Sequence, residues 1–168
     1  MKKSWLAGLA IAGLVTTGKS AHAQLKGFSV GGYVESAFPV NSFEATHRIG
    51  LGAGVNADIK LPGKFGLTGS AGYMYFRGRT EDLGDTRIKH ESLTAVPLRL
   101  GLKYRLAPMV YLKMESGTAR VNRGYGSGVI LSPGIGVRVL GLDIQGKYER
   151  WLQDEKFSFW GIKAGLNF

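Results

Sequence analysis

The chain has 168 residues, 26 glycines, no cysteine and a formal net charge of +10. Without cysteine there is no disulfide framework, no thiolate metal site and no lipoprotein attachment point, and three histidines, one of them in the first 23 residues, argue against a metal centre. The basic residues recur singly among glycines and apolar residues instead of clustering on one face, which argues against nucleic-acid binding, and beyond residue 23 no apolar run approaches the ~20 residues of a membrane-crossing helix.

The amino-terminal stretch carries Lys2 and Lys3, an apolar run from Trp5 to Val15, and small residues ending in Ala21-His22-Ala23. These are the charged, apolar and cleavage regions of a secretory signal peptide, with cleavage expected after Ala23. A membrane anchor fits less well, because the apolar run is too short to cross ~30 Å of hydrocarbon. Residues 24–168 then form one domain.

From there the chain reads as a series of runs with a period of two. The first, Phe28 to Ser36, sets Phe28, Val30 and Val34 against Ser29, Tyr33 and Glu35, and the polar stretch 37–47 is expected to be a loop. The second, Arg48 to Lys60, alternates Ile49, Leu51, Ala53, Val55, Ala57 and Ile59 with Arg48, three glycines, Asn56, Asp58 and Lys60. Its glycines keep strict period two and no helix follows, so they form no phosphate loop. A tight turn at 61–64 leads to the third run, Phe65 to Phe76, with Phe65, Leu67, Ala71, Tyr73 and Tyr75 on the apolar face.

The charged segment 77–91 is expected to be a long loop. The fourth run, Ser92 to Arg105, alternates Val96, Leu98, Leu100, Leu102 and Tyr104 with Arg99, Gly101, Lys103 and Arg105, and Pro97 within it predicts a bulge or a lost ladder bond. After a turn at 106–108, the fifth run, Met109 to Thr118, opposes Val110, Leu112 and Met114 to Tyr111, Lys113 and Glu115. A loop at 119–126 precedes the sixth run, Ser127 to Leu140, which carries Arg138 inward and Pro133 as a second irregularity. The seventh run, Leu142 to Trp151, opposes Leu142, Ile144 and Tyr148 to Asp143, Gln145, Lys147 and Glu149. The last, Phe157 to Phe168, places Trp160, Ile162, Ala164, Leu166 and Phe168 on one face, and Phe159, Gly161, Lys163, Gly165 and Asn167 on the other.

In water a terminal strand that stays apolar to its last residue would invite pairing with other chains. In a bilayer the oily face meets lipid and the open edge vanishes by pairing with the first strand. The expected fold is therefore all-β: an eight-stranded antiparallel transmembrane meander barrel, with longer connections at one end and short turns at the other. Outward aromatics sort by height into two belts, Phe28, Phe65, Tyr104 and Phe168 at the turn end and Tyr75, Tyr148 and Trp160 at the loop end, as expected at two membrane interfaces.

The exported start, the strand lengths, the V-P-L-R-L-G-L-K-Y run from Val96 to Tyr104 and the terminal Phe168 resemble the small outer-membrane β-barrel family of OmpA and OmpX type. The resemblance implies a monomer in a Gram-negative outer membrane, both mature ends periplasmic, no cofactor, and a structural or surface-interaction role. It also implies that the strand ending in Phe168 is read by the outer-membrane assembly machinery.

Eight strands enclose a lumen barely wide enough for side chains. The alternation sends Arg48, Lys60, Arg99, Lys103, Arg105, Lys113, Arg138, Lys147 and Lys163 inward with Glu35, Asp58, Glu115, Asp143 and Glu149. Isolated charges there are costly, so an ion-paired network is expected, with inward glycines making room for the long Arg and Lys arms. A narrow anion-leaning pore is the alternative. His90 and Ser92 are similar to the His-x-Ser of the lipid A deacylase family, which would make His90 the base and Ser92 the nucleophile, but no third residue matches. Lipopolysaccharide phosphates are the expected partners of basic residues above the outer belt, among them Arg77, Arg79, Arg120 and Arg123.

Overall fold

The computed structural model describes residues 27–83, 86–89, 91–122, 127–152 and 157–168. The proposed signal segment, residues 1–23, lies outside them, as do His90 and Arg123. Eight long strands close into one antiparallel barrel: β1 (Phe28–Val40), β2 (His47–Lys60), β3 (Phe65–Gly78), β6 (Leu93–Arg105), β7 (Val110–Val121), β8 (Ser127–Val139), β9 (Leu142–Leu152) and β10 (Phe157–Asn167). Each pairs with its neighbours in chain order, apart from an inserted hairpin of β4 (Thr80–Leu83) and β5 (Thr86–Lys89) between β3 and β6. A short helix, α1 (Ser42–Thr46), links β1 to β2.

Closure comes from β1 and β10, which run in register from Gly31 opposite Asn167 to Val40 opposite Ser158. Val30 and the terminal Phe168 add the last two rungs, N–H to carbonyl at 3.1 and 2.9 Å. Every barrel strand has 11 to 14 residues. The ~9–11 residues that a tilted strand needs to span a bilayer are thus covered throughout.

The polarity of the barrel is inverted relative to a water-soluble protein. Leu100, on the outer wall, is 75 % exposed, whereas Glu149, inside, is fully buried. Along β6 and β9 this follows directly from alternation, since successive side chains point to opposite faces of a strand. Valines, leucines and isoleucines cover the middle of the wall and aromatics flank them. At the turn end the rings of Phe65 and Tyr104 meet at 5.0 Å, beside Phe28 and Phe168. At the loop end Tyr148 and Trp160 meet at 5.1 Å, with Tyr75 also exposed on the wall. Phe38, assigned to a loop by its polar surroundings, belongs to this second group, because it pairs with Trp160 in the closing ladder.

The structure corrects the sequence reading mainly at the loop end. Residues 37–40 continue β1, since Ala37 and Pro39 are buried inside while Phe38 faces out, and the first connection shrinks to 41–46. Much of the charged segment 77–91 is the β4–β5 hairpin. Ala119 and Val121 extend β7, both buried. Arg48 does not point inward as expected. An extra residue in β2 between His47 and Gly50 makes a bulge, so Arg48 and Ile49 are both exposed and the alternation restarts at Gly50.

The two prolines interrupt pairing without shifting register. At Val96–Pro97 β6 loses its partners on β3 but keeps Arg120 and Ala119 on β7, and at Ser132–Pro133 β8 loses β9 but keeps β7. A missing N–H removes a rung, and the flanking rungs hold the alignment. At the opposite end Leu140 and Gly141, at φ of 49° and 87°, make the two-residue hairpin between β8 and β9. Both central residues lie at positive φ, as a type I′ turn requires.

Candidate functional site

The lumen is built in three tiers. Nearest the turn end, the Asp58, Lys103, Arg138 and Asp143 side chains converge from four strands. The Lys103 ammonium lies 2.8 Å from Asp58 and 3.7 Å from Asp143, and Arg138 donates through Nε to Asp143 at 2.7 Å and through Nη2 to Asp58. Tyr111 donates its hydroxyl to Asp143, and its ring carries the Lys103 ammonium 4.1 Å from the centroid. Asn56 and Asn167 complete this tier, with the Asn167 amide donating to Asp143 at 3.5 Å.

The middle tier pairs Lys113 with Glu115 at 3.2 Å, and Ser70 donates to the same Glu115 oxygen at 3.4 Å. Lys163 sits over the ring of Tyr33, 3.6 Å from its centroid, as a cation on an aromatic face. Above it, Glu35, Arg99, Lys147 and Glu149 form a closed set whose side chains have no solvent exposure. Lys147 lies 2.7 Å from Glu35 and 2.6 Å from Glu149, and Arg99 lies 2.8 Å from Glu149 and 3.8 Å from Glu35. Two carboxylates face two cations, so the buried charge is locally neutral.

Of the inward charges read from the sequence, the structure brings Glu35, Asp58, Arg99, Lys103, Lys113, Glu115, Arg138, Asp143, Lys147, Glu149 and Lys163 into the interior. Arg48 is displaced by the bulge, and Lys60 and Arg105 are exposed at the strand ends. Several inward glycines make room for rings. A Cβ on Gly72 would lie 2.4 Å from the Tyr33 hydroxyl, and one on Gly136 would lie 2.3 Å from Tyr111. Gly161 makes room for a lysine arm, that of Lys147.

Among the described residues the loop end of the lumen is lined by apolar side chains. Phe76, Trp151, Phe157, Phe159 and Phe43 fill it together with Met74, Ile130 and Val121. Phe43 reaches in from α1 and packs edge-on against Phe76 and Phe157, at 5.0 and 4.8 Å. The indole N–H of Trp151 donates to Glu149 at 2.6 Å and joins the apolar cap to the ionic set below. The sequence reading missed this cap. Its signal was the inward phase of Phe76, Trp151 and Phe159, in line with Ser70, Lys147 and Lys163 respectively.

Ser92 is half-buried beside β3, and its Oγ accepts from the Tyr75 hydroxyl at 2.9 Å and from the Gly78 N–H at 3.4 Å. That arrangement ties the base of the β4–β5 hairpin to β3, while His90 lies outside the described residues. On the outer wall nearby, Tyr73, Val96, Arg120 and Asn122 line a groove of about 340 Å³ where the β3–β6 pairing is interrupted. Arg77 and Arg79 are exposed, and Arg79 donates to the Glu44 carbonyl at 3.0 Å.

Replacing Arg99 by Met leaves Glu35 and Glu149 buried with only Lys147 opposite them. We expect Arg99→Met to destabilise the barrel by about 3–5 kcal/mol, and the double variant Arg99→Met/Glu149→Gln to recover part of that loss. Urea unfolding in detergent micelles, run as a double-mutant cycle, measures both.

No protein-family model and no curated protein matches the sequence. Solved structures do match. A de novo designed transmembrane β-barrel aligns with a TM-score of 0.55 at 13% identity, covering 83% of this chain and 95% of the design. Ail of Yersinia pestis, determined in a phospholipid bilayer nanodisc, aligns at 0.53 and 17% identity over 85% of this chain and all of Ail. The amino-terminal barrel domain of Pseudomonas aeruginosa OprF aligns at 0.51 and 10% identity, over 84% and 96% of the two chains. This chain thus has the fold of the small eight-stranded outer-membrane β-barrels.

Proposed function

We propose that the protein is a monomeric, integral outer-membrane barrel of a Gram-negative bacterium with a structural or surface-interaction role and no catalytic one. The filled lumen is the observation that supports this reading. Among the described residues a neutral ionic set beneath an aromatic cap fills the upper lumen, and the void between the lower tiers is about 10 Å³, room for about one water. The short turns and both mature ends face the periplasm in this reading, and the helix, the hairpin and the remaining connections face outward. In planar bilayers the purified protein is expected to give no ion-selective channel events, and steady anion-selective conductance would replace this reading by the pore.

Lipopolysaccharide is the proposed partner at the outer rim. The groove of Tyr73, Val96 and Arg120 sets an aromatic ring, an apolar surface and a guanidinium side by side on the wall, a combination suited to an acyl chain carrying a phosphate. Exposed Arg77 lies two residues beyond Tyr75 on β3. We expect Arg77→Gln/Arg120→Gln to weaken retention of lipopolysaccharide roughly tenfold by native mass spectrometry. Unchanged retention would remove the assignment.

The assembly machinery is the proposed partner of β10. Phe168 makes the final rungs of the closing ladder and exposes its ring to the lower interface. Deleting it is expected to slow insertion by purified assembly machinery in proteoliposomes, read as delayed acquisition of protease resistance. Unaltered kinetics would count against that role.

A further inference from the structure

The turn end of the barrel carries a second charged feature that the filled lumen does not absorb. A pocket of about 210 Å³ opens there, its floor formed by Asp58, Lys103, Tyr111 and Arg138 and its rim by Lys60, Lys64 and Arg105. The floor cations already have carboxylate partners, since Asp58 and Asp143 serve both Lys103 and Arg138. The rim cations do not. Lys60, Lys64 and Arg105 are exposed, and no carboxylate of the described residues pairs with them. Three positive charges without a carboxylate partner among the described residues, set around one concave site over a neutral floor, make a focused positive potential.

Depth in the bilayer says which anion meets it. Lys64 immediately precedes Phe65 and Arg105 immediately follows Tyr104, the two rings whose contact marks the lower interface. Backbone bonding holds the two cations together, because the Arg105 N–H donates to the Lys64 carbonyl at 2.8 Å. Interfacial aromatics sit at the level of the headgroups, so the rim opens where phosphate is the dominant anion. A phosphate fits the donors, its terminal oxygens accepting from a guanidinium and two ammonium groups, three of them in a monoester and two in a diester.

We propose that the turn-end pocket is a phosphate seat, holding the phosphate of a glycerophospholipid headgroup or of a soluble organic phosphate. Lys60, Lys64 and Arg105 bind the phosphate oxygens, and the paired floor keeps the site from filling with the protein's own carboxylates.

The test uses the full-length barrel in two arms. In the first, barrel extracted from phosphatidylcholine vesicles containing phosphatidylglycerol is scored for retained phosphatidylglycerol by native mass spectrometry. In the second, glycerol 1-phosphate is titrated into detergent-solubilised barrel by calorimetry. Binding in either arm that falls roughly tenfold in Lys60→Gln/Lys64→Gln/Arg105→Gln, but not in Arg48→Gln, exposed at the bulge at the opposite end of β2, supports the seat. The arm in which it occurs names the source. Binding in neither arm overturns the proposal, and so does an equal loss in both variants, which would reflect net charge alone. The substituted rim residues are exposed and lie outside the buried ion pairs, so the folded barrel is retained, and its heat-modifiable migration on gels verifies this.

Discussion

Everything in this protein depends on one constraint: inside hydrocarbon a backbone N–H or carbonyl without a partner costs several kcal/mol. The ladder between β1 and β10 meets that constraint by removing the last free edges, from Val40 opposite Ser158 down to the rungs between Val30 and Phe168. Once closed, the sheet has only two faces, and the outer one must be apolar. The polar residues that alternate with it have nowhere to go but the interior.

An interior this narrow turns an arrangement forced by period two into an electrostatic problem. Lysines, arginines and carboxylates from most of the strands crowd a space without bulk water, and they are tolerable only as mutually neutralising sets. Glu35 and Glu149 against Arg99 and Lys147 is one such set, and Asp58 and Asp143 against Lys103 and Arg138 is another. Each draws its members from three or four strands. The ion pairs therefore fix register and cross-barrel distance as well as compensating charge.

The two ends are treated differently. The loop end is closed by rings, with Phe43 brought in from α1 to complete the cap over Trp151, and the wall around it carries the arginines and the groove. The turn end remains open as a basic pocket. The two ends thus present different chemistry, packed rings at one and exposed cations at the other.

The alternation of runs such as 48–60 and 142–151 made the strand count, the barrel, the inward charges and both aromatic belts legible in the sequence, because each follows from which side of a strand a residue faces. Strand ends were less legible. Ala37 to Val40 carries a proline and runs into the polar stretch from Asn41, which hides its strand character until β10 is seen beside it, and Arg48 left the lumen because β2 takes an extra residue where it meets β3. The partners of Arg99 and Lys103, the seating of Phe43 in the cap of rings and the glycine hollows for Tyr33 and Tyr111 came from tertiary structure alone. Alternation assigns a side chain to the inside, but its height, and hence what it touches across the barrel, depends on the stagger between strands that only closure sets.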